Sequence, residues 1–351
     1  MGWSKALVAL SRLAVVALLA SVSIAMAATS LDDWEELENS NLSPHEKIQF
    51  SRALLEDHQK QQYLAGEVRG NIVLAFAYLS LEDAAQTQAH LALARQLNDK
   101  HNSLLDRLRI NNLQVSLYAL EGNLNAAVEM AISNLALSKT VDDEVLQGDI
   151  LIQYAYIMQL ESQYEEAIEH LYKAQIIFEL LHDKSRLMMI QSNLAMIFVK
   201  LKNYPRAIEY HLHAIELAKE IGDDFSLSIF YYNLGSAFAN KKDWPQTIHY
   251  FSEAREMSLM LEDKAGIALA TARLGSVMMK NQQFEDALPL LLEANQMLVD
   301  SGALHMRMWI KLDIAMCHAQ SGQRSLAKAF ITEVELMMAE AGKDDRFPYF
   351  A

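Results

Sequence analysis

Apolar residues recur at helical spacing along almost the whole chain, and they do so on a fixed 40-residue period. Between Arg186 and Lys202, residues Ile190, Leu194, Ile197 and Leu201 share one helical face. Between Tyr204 and Ile221, the same holds for Ala207, Ile208, Ile215 and Leu217. Each period therefore predicts two amphipathic helices. Tyr164, Tyr204, Trp244 and Phe284 follow one another at 40-residue intervals. Small residues keep the same interval: Ala155, Ala195, Gly235 and Gly275, then Ala167, Ala207, Thr247 and Ala287, then Ala174, Ala214, Ala254 and Ala294. The register extends upstream to Leu124 and Ala84 and downstream to Arg324. A constant period in this range marks stacked supersecondary units, each too small to bury its own apolar face. The expectation is an all-α solenoid of about seven helix-turn-helix units over 44–343, near 64–103, 104–143, 144–183, 184–223, 224–263, 264–303 and 304–343.

The punctuation fits that reading. Asp143, Asp183, Asp223 and Asp263 recur between units, where an N-cap oxygen satisfies orphan amides of the next helix. Asn203, Asp243, Gln283 and Gly322-Gln323 fall in the turns within units. Small residues are required where two helices cross closely, and the aromatic fills the wedge beside them. The unit near 104–143 fits least well, with Val115 and Asn134 at small-residue positions. Residues 44–61 form one more amphipathic helix, expected to cap the N-terminal end. The helix Ser325–Ala341 is apolar over much of its circumference, and Phe347, Tyr349 and Phe350 follow in the tail at 344–351. Either this tail folds back, or the end face pairs with another chain as a homodimer.

Composition adds compartment and partner class. The chain is 52% hydrophobic with only 12 Gly and 5 Pro, which favours long helices. Lys5 and Arg12 precede the apolar stretch Leu13–Ile24, and Ala25-Met26-Ala27 carries small residues at a cleavage-site spacing. Residues 1–27 read as a secretory signal peptide, so the mature protein is expected to be exported and periplasmic, with no membrane span after cleavage. The segment 28–43, including acidic Asp32–Glu38, reads as a solvated linker. Removing Lys5 and Arg12 takes the formal charge from -15 to -17. Such an acidic body disfavours nucleic acid. Cys317 is the single cysteine, so no intramolecular disulfide forms.

Catalytic signatures are missing. HExxH, a Walker loop and a Gly-rich dinucleotide turn do not occur. His211 and His213 project from opposite sides of a helix and cannot chelate one ion. Glu165-Glu166 reads as solvated charge at a helix start. Cys317 reads as a small core residue. No enzyme activity, metal or cofactor is expected.

The residues Asn233-Leu234-Gly235, Phe238, Trp244, Thr247, Phe251 and Ala254 resemble the tetratricopeptide repeat, as do Asn193-Leu194-Ala195, Phe198, Tyr204, Ala207 and Ala214. The first-helix Trp and the closing Pro of the common 34-residue form are absent. The 40-residue length is similar to kinesin light chains, to bacterial Rap-type peptide receptors and to periplasmic regions of some diguanylate cyclases. This resemblance implies a right-handed solenoid whose first helices line a concave surface. On those helices Gln153, Asn193, Asn233, Arg273 and Asp313 share one register position. Tyr156, Met196, Ser236, Ser276 and Met316 lie about a turn later, followed by Leu160, Lys200, Asn240, Lys280 and Gln320. Repeated amides can hydrogen-bond an extended backbone of any sequence, while Lys200, Arg273 and Lys280 select charge. The candidate groove is therefore Gln153, Tyr156, Asn193, Lys200, Asn233, Ser236, Asn240, Arg273, Ser276, Lys280 and Asp313. The ring stripe His90, His170, Tyr210, Tyr250 and Phe330 reads as inter-helix packing. A scaffold for a protein or peptide partner is the expected function. The alternative is the periplasmic sensor region of a diguanylate-cyclase-linked signalling protein.

Overall fold

The structure, a computed structural model, describes residues 34, 37, 40, 42–299 and 303–341. The expected signal peptide at 1–27 and tail at 344–351 lie outside the described residues, as does most of 28–43. Among the described residues there are fifteen α-helices and no strand. Helix α1 (Pro44–Gln61) is followed by seven pairs: α2 (Leu64–Ser80) and α3 (Ala84–His101), α4 (Leu104–Leu120) and α5 (Leu124–Ser138), α6 (Glu144–Leu160) and α7 (Tyr164–Leu180). Then come α8 (Lys184–Lys200) and α9 (Tyr204–Ile221), α10 (Asp224–Lys241) and α11 (Trp244–Met260), α12 (Lys264–Lys280) and α13 (Phe284–Met297), α14 (Leu304–Gln320) and α15 (Arg324–Ala341). Every first helix and every second helix starts 40 residues after its predecessor. The chain divides into two compact bodies, Met1–Ile177 and Phe178–Ala351, with the boundary inside α7.

One turn is built seven times. Glu82, Gly122, Ser162, Lys202, Lys242, Gln282 and Gly322 all take the left-handed conformation, with φ between 56° and 76°. The next backbone N–H returns to a first-helix carbonyl, as in Asp83 to Tyr78, Asn203 to Phe198 and Gln323 to His318. This is the 6→1 bond of a Schellman stop, which satisfies carbonyls the helix end leaves open. Only Gly122 and Gly322 supply glycine there. The other five turns accept the cost of a Cβ in the left-handed region, about 1–2 kcal/mol each.

The caps follow the acidic punctuation. Asp143, Asp183, Asp223 and Asp263 accept from the amides of Leu146, Arg186, Ser226 and Ala265. Asn203 and Asp243 cap α9 and α11 by accepting from Arg206 and Gln246. Gln283 makes no side-chain cap bond.

Each body has apolar core clusters of its own. In the first, Val68, Ile72, Leu91, Ala94, Ile110 and Leu117 pack together. In the second, Met188, Ala214, Leu227, Phe230, Leu234, Ala254 and Ala270 form one cluster across five helices. Burying one such leucine or phenylalanine contributes about 1.5–3 kcal/mol, and the repetition multiplies it. The least regular repeat is accommodated: Val115 and Asn134 are both buried, and Asn134 Nδ2 donates to the Leu108 carbonyl at 3.2 Å.

The segment expected to be a solvated linker contributes to the first body's core. Trp34 is fully buried and Leu37 nearly so, packed with Ile48, Leu54 and Leu55 of α1 and Val73, Leu74, Ala77 and Tyr78 of α2. Trp34 Nε1 donates to His58 Nδ1 at 3.2 Å. The physical reason is direct: an indole surrounded by acidic residues still gains by burial when its N–H finds a partner. Helix α1 covers α2 with the boundaries that its apolar spacing implies.

Candidate functional site

The second body presents four first helices, α8, α10, α12 and α14, each carrying one residue of the polar ladder at the same register. Asn193 and Asn233 are half-buried, and neither side chain bonds to any described residue. An amide in that position holds donors and an acceptor with no internal use.

The rest of the ladder is engaged within the protein. Arg273 Nε donates to the Tyr232 hydroxyl at 3.0 Å, tying α12 to α10. Ser276 donates to the Asp313 carboxylate, tying α12 to α14. Burial raises the Asp313 pKa, opposed by the Ser276 bond and by the positive charges of Lys280 and Arg273. Ser236 Oγ donates to the Tyr232 carbonyl at 3.0 Å, and Asn240 Nδ2 to the Ser236 carbonyl at 3.0 Å, both within α10. Lys200 and Lys280 are exposed. Arg273, Ser276 and Asp313 thus serve helix-to-helix connections, while the side chains of Asn193 and Asn233 make no bond within the described residues. Gln153 and Tyr156 belong to the first body. Gln153 Nε2 is buried with no hydrogen-bond partner, and Tyr156 is exposed.

A further row on the same helices was not singled out by its sequence. One turn before the amides lie Met189, Ile229, Leu269 and Trp309, of which Met189, Ile229 and Trp309 are 48%, 44% and 69% exposed. Apolar residues at helical spacing read as core from sequence. Here the true core row, Ile190, Phe230, Ala270 and Ile310, is one residue further along and is buried. The face therefore combines a water-exposed apolar row with free amides beside it.

The ring stripe is internal packing. His90 stacks on Tyr78, Tyr210 on Phe198, Tyr250 on Phe238 and Phe330 on His318, each closing its own helix pair. Burial pushes the Cys317 thiol up to about 11, with the Asp313 charge adding to the effect, so it is not a ready nucleophile. Among the described residues no group of three or more His, Cys, Asp or Glu is placed to hold a metal. No described helix is long and apolar enough to cross a membrane.

Comparison with known proteins agrees with this geometry. Residues 146–220 and 186–260 match the tetratricopeptide repeat family. No curated protein sequence matches the chain. Among solved structures, a Signal Transduction ATPase with Numerous Domains (STAND) protein with a tetratricopeptide repeat sensor, from Pyrococcus horikoshii, superposes with a TM-score of 0.69 at 15% identity. That match covers 86% of this chain and 46% of the other, so the chain spans less than half of the STAND protein. A Rap protein complexed with Competence and Sporulation Factor gives 0.63 at 13% identity, covering 91% of this chain and 94% of the other. NprR in complex with its cognate peptide NprX gives 0.52 at 13%, covering 81% of each. At these identities the likeness is one of fold. Residues 146–260 carry tetratricopeptide repeats, and the helix pairs on either side keep their period and their turn: the chain has the tetratricopeptide-repeat fold.

Proposed function

We propose that this protein is an exported, non-enzymatic scaffold that holds a protein or extended peptide against the first-helix face of its second body. The observation that carries this reading is the pair of half-buried, unbonded amides Asn193 and Asn233 beside the exposed row Met189, Ile229 and Trp309. Uncommitted amides at one register suit a backbone ligand, and an apolar row alongside them suits its side chains. The likeness to Rap in complex with Competence and Sporulation Factor and to NprR in complex with its cognate peptide NprX supports a ligand of this class. Residues 1–27 support export through their charge, apolar stretch and small-residue end.

The test is a calorimetric titration of the partner with Asn193→Ala plus Asn233→Ala. Loss of two amides, each contributing about 0.5–1.5 kcal/mol net, should weaken binding by roughly 5- to 150-fold with helicity and melting temperature unchanged. Unchanged affinity would remove the amides from the site.

A second reading, the sensor region of a signalling protein of the diguanylate-cyclase-linked type, is favoured by the likeness to a STAND protein bearing a tetratricopeptide repeat sensor. Sequencing the gene past Ala351 decides between them: an in-frame membrane span and output domain supports the sensor, and a stop codon supports the scaffold.

A further inference from the structure

The second helices of the second body show what an internal pair has and the last pair lacks. Seven positions into α9, α11 and α13 lie His211, Phe251 and Leu291, none more than 1% exposed. Fourteen positions after each helix start lie Ala218, Ser258 and Leu298, the last being the C-cap of α13, and none is more than 8% exposed. The following first helix supplies the cover. Phe251 packs with Leu274 and Val277 of α12, and Leu291 with Ile310 and Ile314 of α14. Between these two positions, Arg255 Nε donates to Thr271 Oγ1 of α12 at 2.9 Å. On α15 the same three positions are Ile331, Glu335 and Met338. Ile331 is 43% and Met338 44% exposed, so no described helix covers them.

The charges on this stripe have an order. Arg324, Lys328, Ile331, Glu335 and Met338 follow at four- and three-residue steps, the spacing of a helix–helix seam. The cations lie in the N-terminal half and the carboxylate in the C-terminal half. Arg324, Lys328 and Glu335 are exposed and make no ion pair with any described residue. A second α15 laid parallel sets like charges together. Laid antiparallel about a two-fold axis at Ile331, it sets Lys328 against Glu335 of the partner subunit, twice, and Ile331 against its own copy. Met338 then meets the aliphatic stem of the opposing arginine. A self-complementary patch of this kind is what a two-fold interface requires.

We propose that the open face of α15 is the interface of a two-fold homodimer, paired antiparallel through Ile331 and two Lys328–Glu335 ion pairs. A single helix pair is smaller than the ~1,200–2,000 Å² of a tight interface, so the dimer should dissociate at micromolar concentrations. The surface is separate from the amide face and does not depend on it.

Analytical ultracentrifugation of the purified protein over a concentration series tests this. The wild type should show a monomer–dimer equilibrium. Lys328→Glu alone and Glu335→Lys alone should each raise the dissociation constant roughly tenfold or more, because each leaves two like-charge contacts. The double variant should return it close to the wild-type value. Ile331→Asp should give monomer. Circular dichroism melts of the charge variants should match the wild type, since both positions are exposed. A wild-type monomer up to roughly 100 times the micromolar range would overturn the proposal and leave this face to a segment of the same chain. Dimerisation indifferent to the single reversals, or not restored by the double, would overturn it equally and place any dimer contact elsewhere.

Discussion

Gly235 on α10 lies against the ring of Phe251 on α11: a Cβ built at Gly235 meets ring carbons Cδ1 and Cε1 at 2.8 and 2.9 Å. The same approach recurs one repeat later, where a Cβ at Gly275 meets Leu291 Cγ at 2.8 Å. These contacts explain why a small residue stands at this register in successive repeats. Gly235→Ala should therefore lower stability. Overpacking costs about 1–3 kcal/mol, against about 1 kcal/mol gained in helix propensity. Adding Phe251→Leu should recover part of the loss, because the shorter side chain retreats from the new methyl. Chemical denaturation of the three variants checks this; a Gly235→Ala protein more stable than wild type would mean that close approach is not the constraint.

His211 occupies a position where the neighbouring repeats place Leu171, Phe251 and Leu291, and it is 1% exposed with Nδ1 unbonded. Burial pushes its pKa down to about 4 from an ordinary 6.5. The folded protein thus resists a proton that the unfolded chain accepts. Stability is complete above about pH 6.5 and falls as pH drops toward 4, by about 3 kcal/mol in total from this group. His211→Leu should abolish this contribution and add about 1–3 kcal/mol at neutral pH by removing an unsatisfied polar atom. The comparison is the difference in unfolding free energy between wild type and variant at pH 7 and pH 4.5. A difference that does not grow on acidification contradicts the assignment.

Trp34 ties the chain before α1 to the first body. Its indole is fully buried, its N–H donates to His58, and a Cβ built at Gly70 would meet its ring at 2.8 Å. Trp34→Ala should cost about 3–5 kcal/mol locally. Hydrogen exchange should accelerate in α1 and α2 and stay unchanged in α8 to α15. Uniform acceleration across both bodies, or none, would contradict a role confined to the N-terminal end.

Most of the architecture was legible because the repeat carries it redundantly. The helix starts, the acidic caps at Asp143 through Asp263 and the packing of the ring stripe each recur often enough that one irregular repeat does not hide them. Trp34 was not legible: a single aromatic in an acidic stretch has no period to betray its burial. The division after Ile177 falls inside a regular helix and leaves no compositional mark. At the candidate site, the ladder's register was visible, but its division of labour was not. Whether Arg273 reaches a ligand or Tyr232 depends on tertiary geometry. The exposed row Met189, Ile229 and Trp309 was masked by the buried row beside it.

The amide and apolar rows matter only if a partner lies on the first-helix face, and site-specific photocrosslinking asks this directly. A photoreactive amino acid is placed at Ile229, on that face of α10, or at the exposed Glu256 on α11. After irradiation in the cells that make the protein, covalent adducts are identified by mass spectrometry. One partner captured from position 229, and not from 256, is the expected result. Capture of that partner from 256, with position 229 silent, would contradict the assignment of the first-helix face.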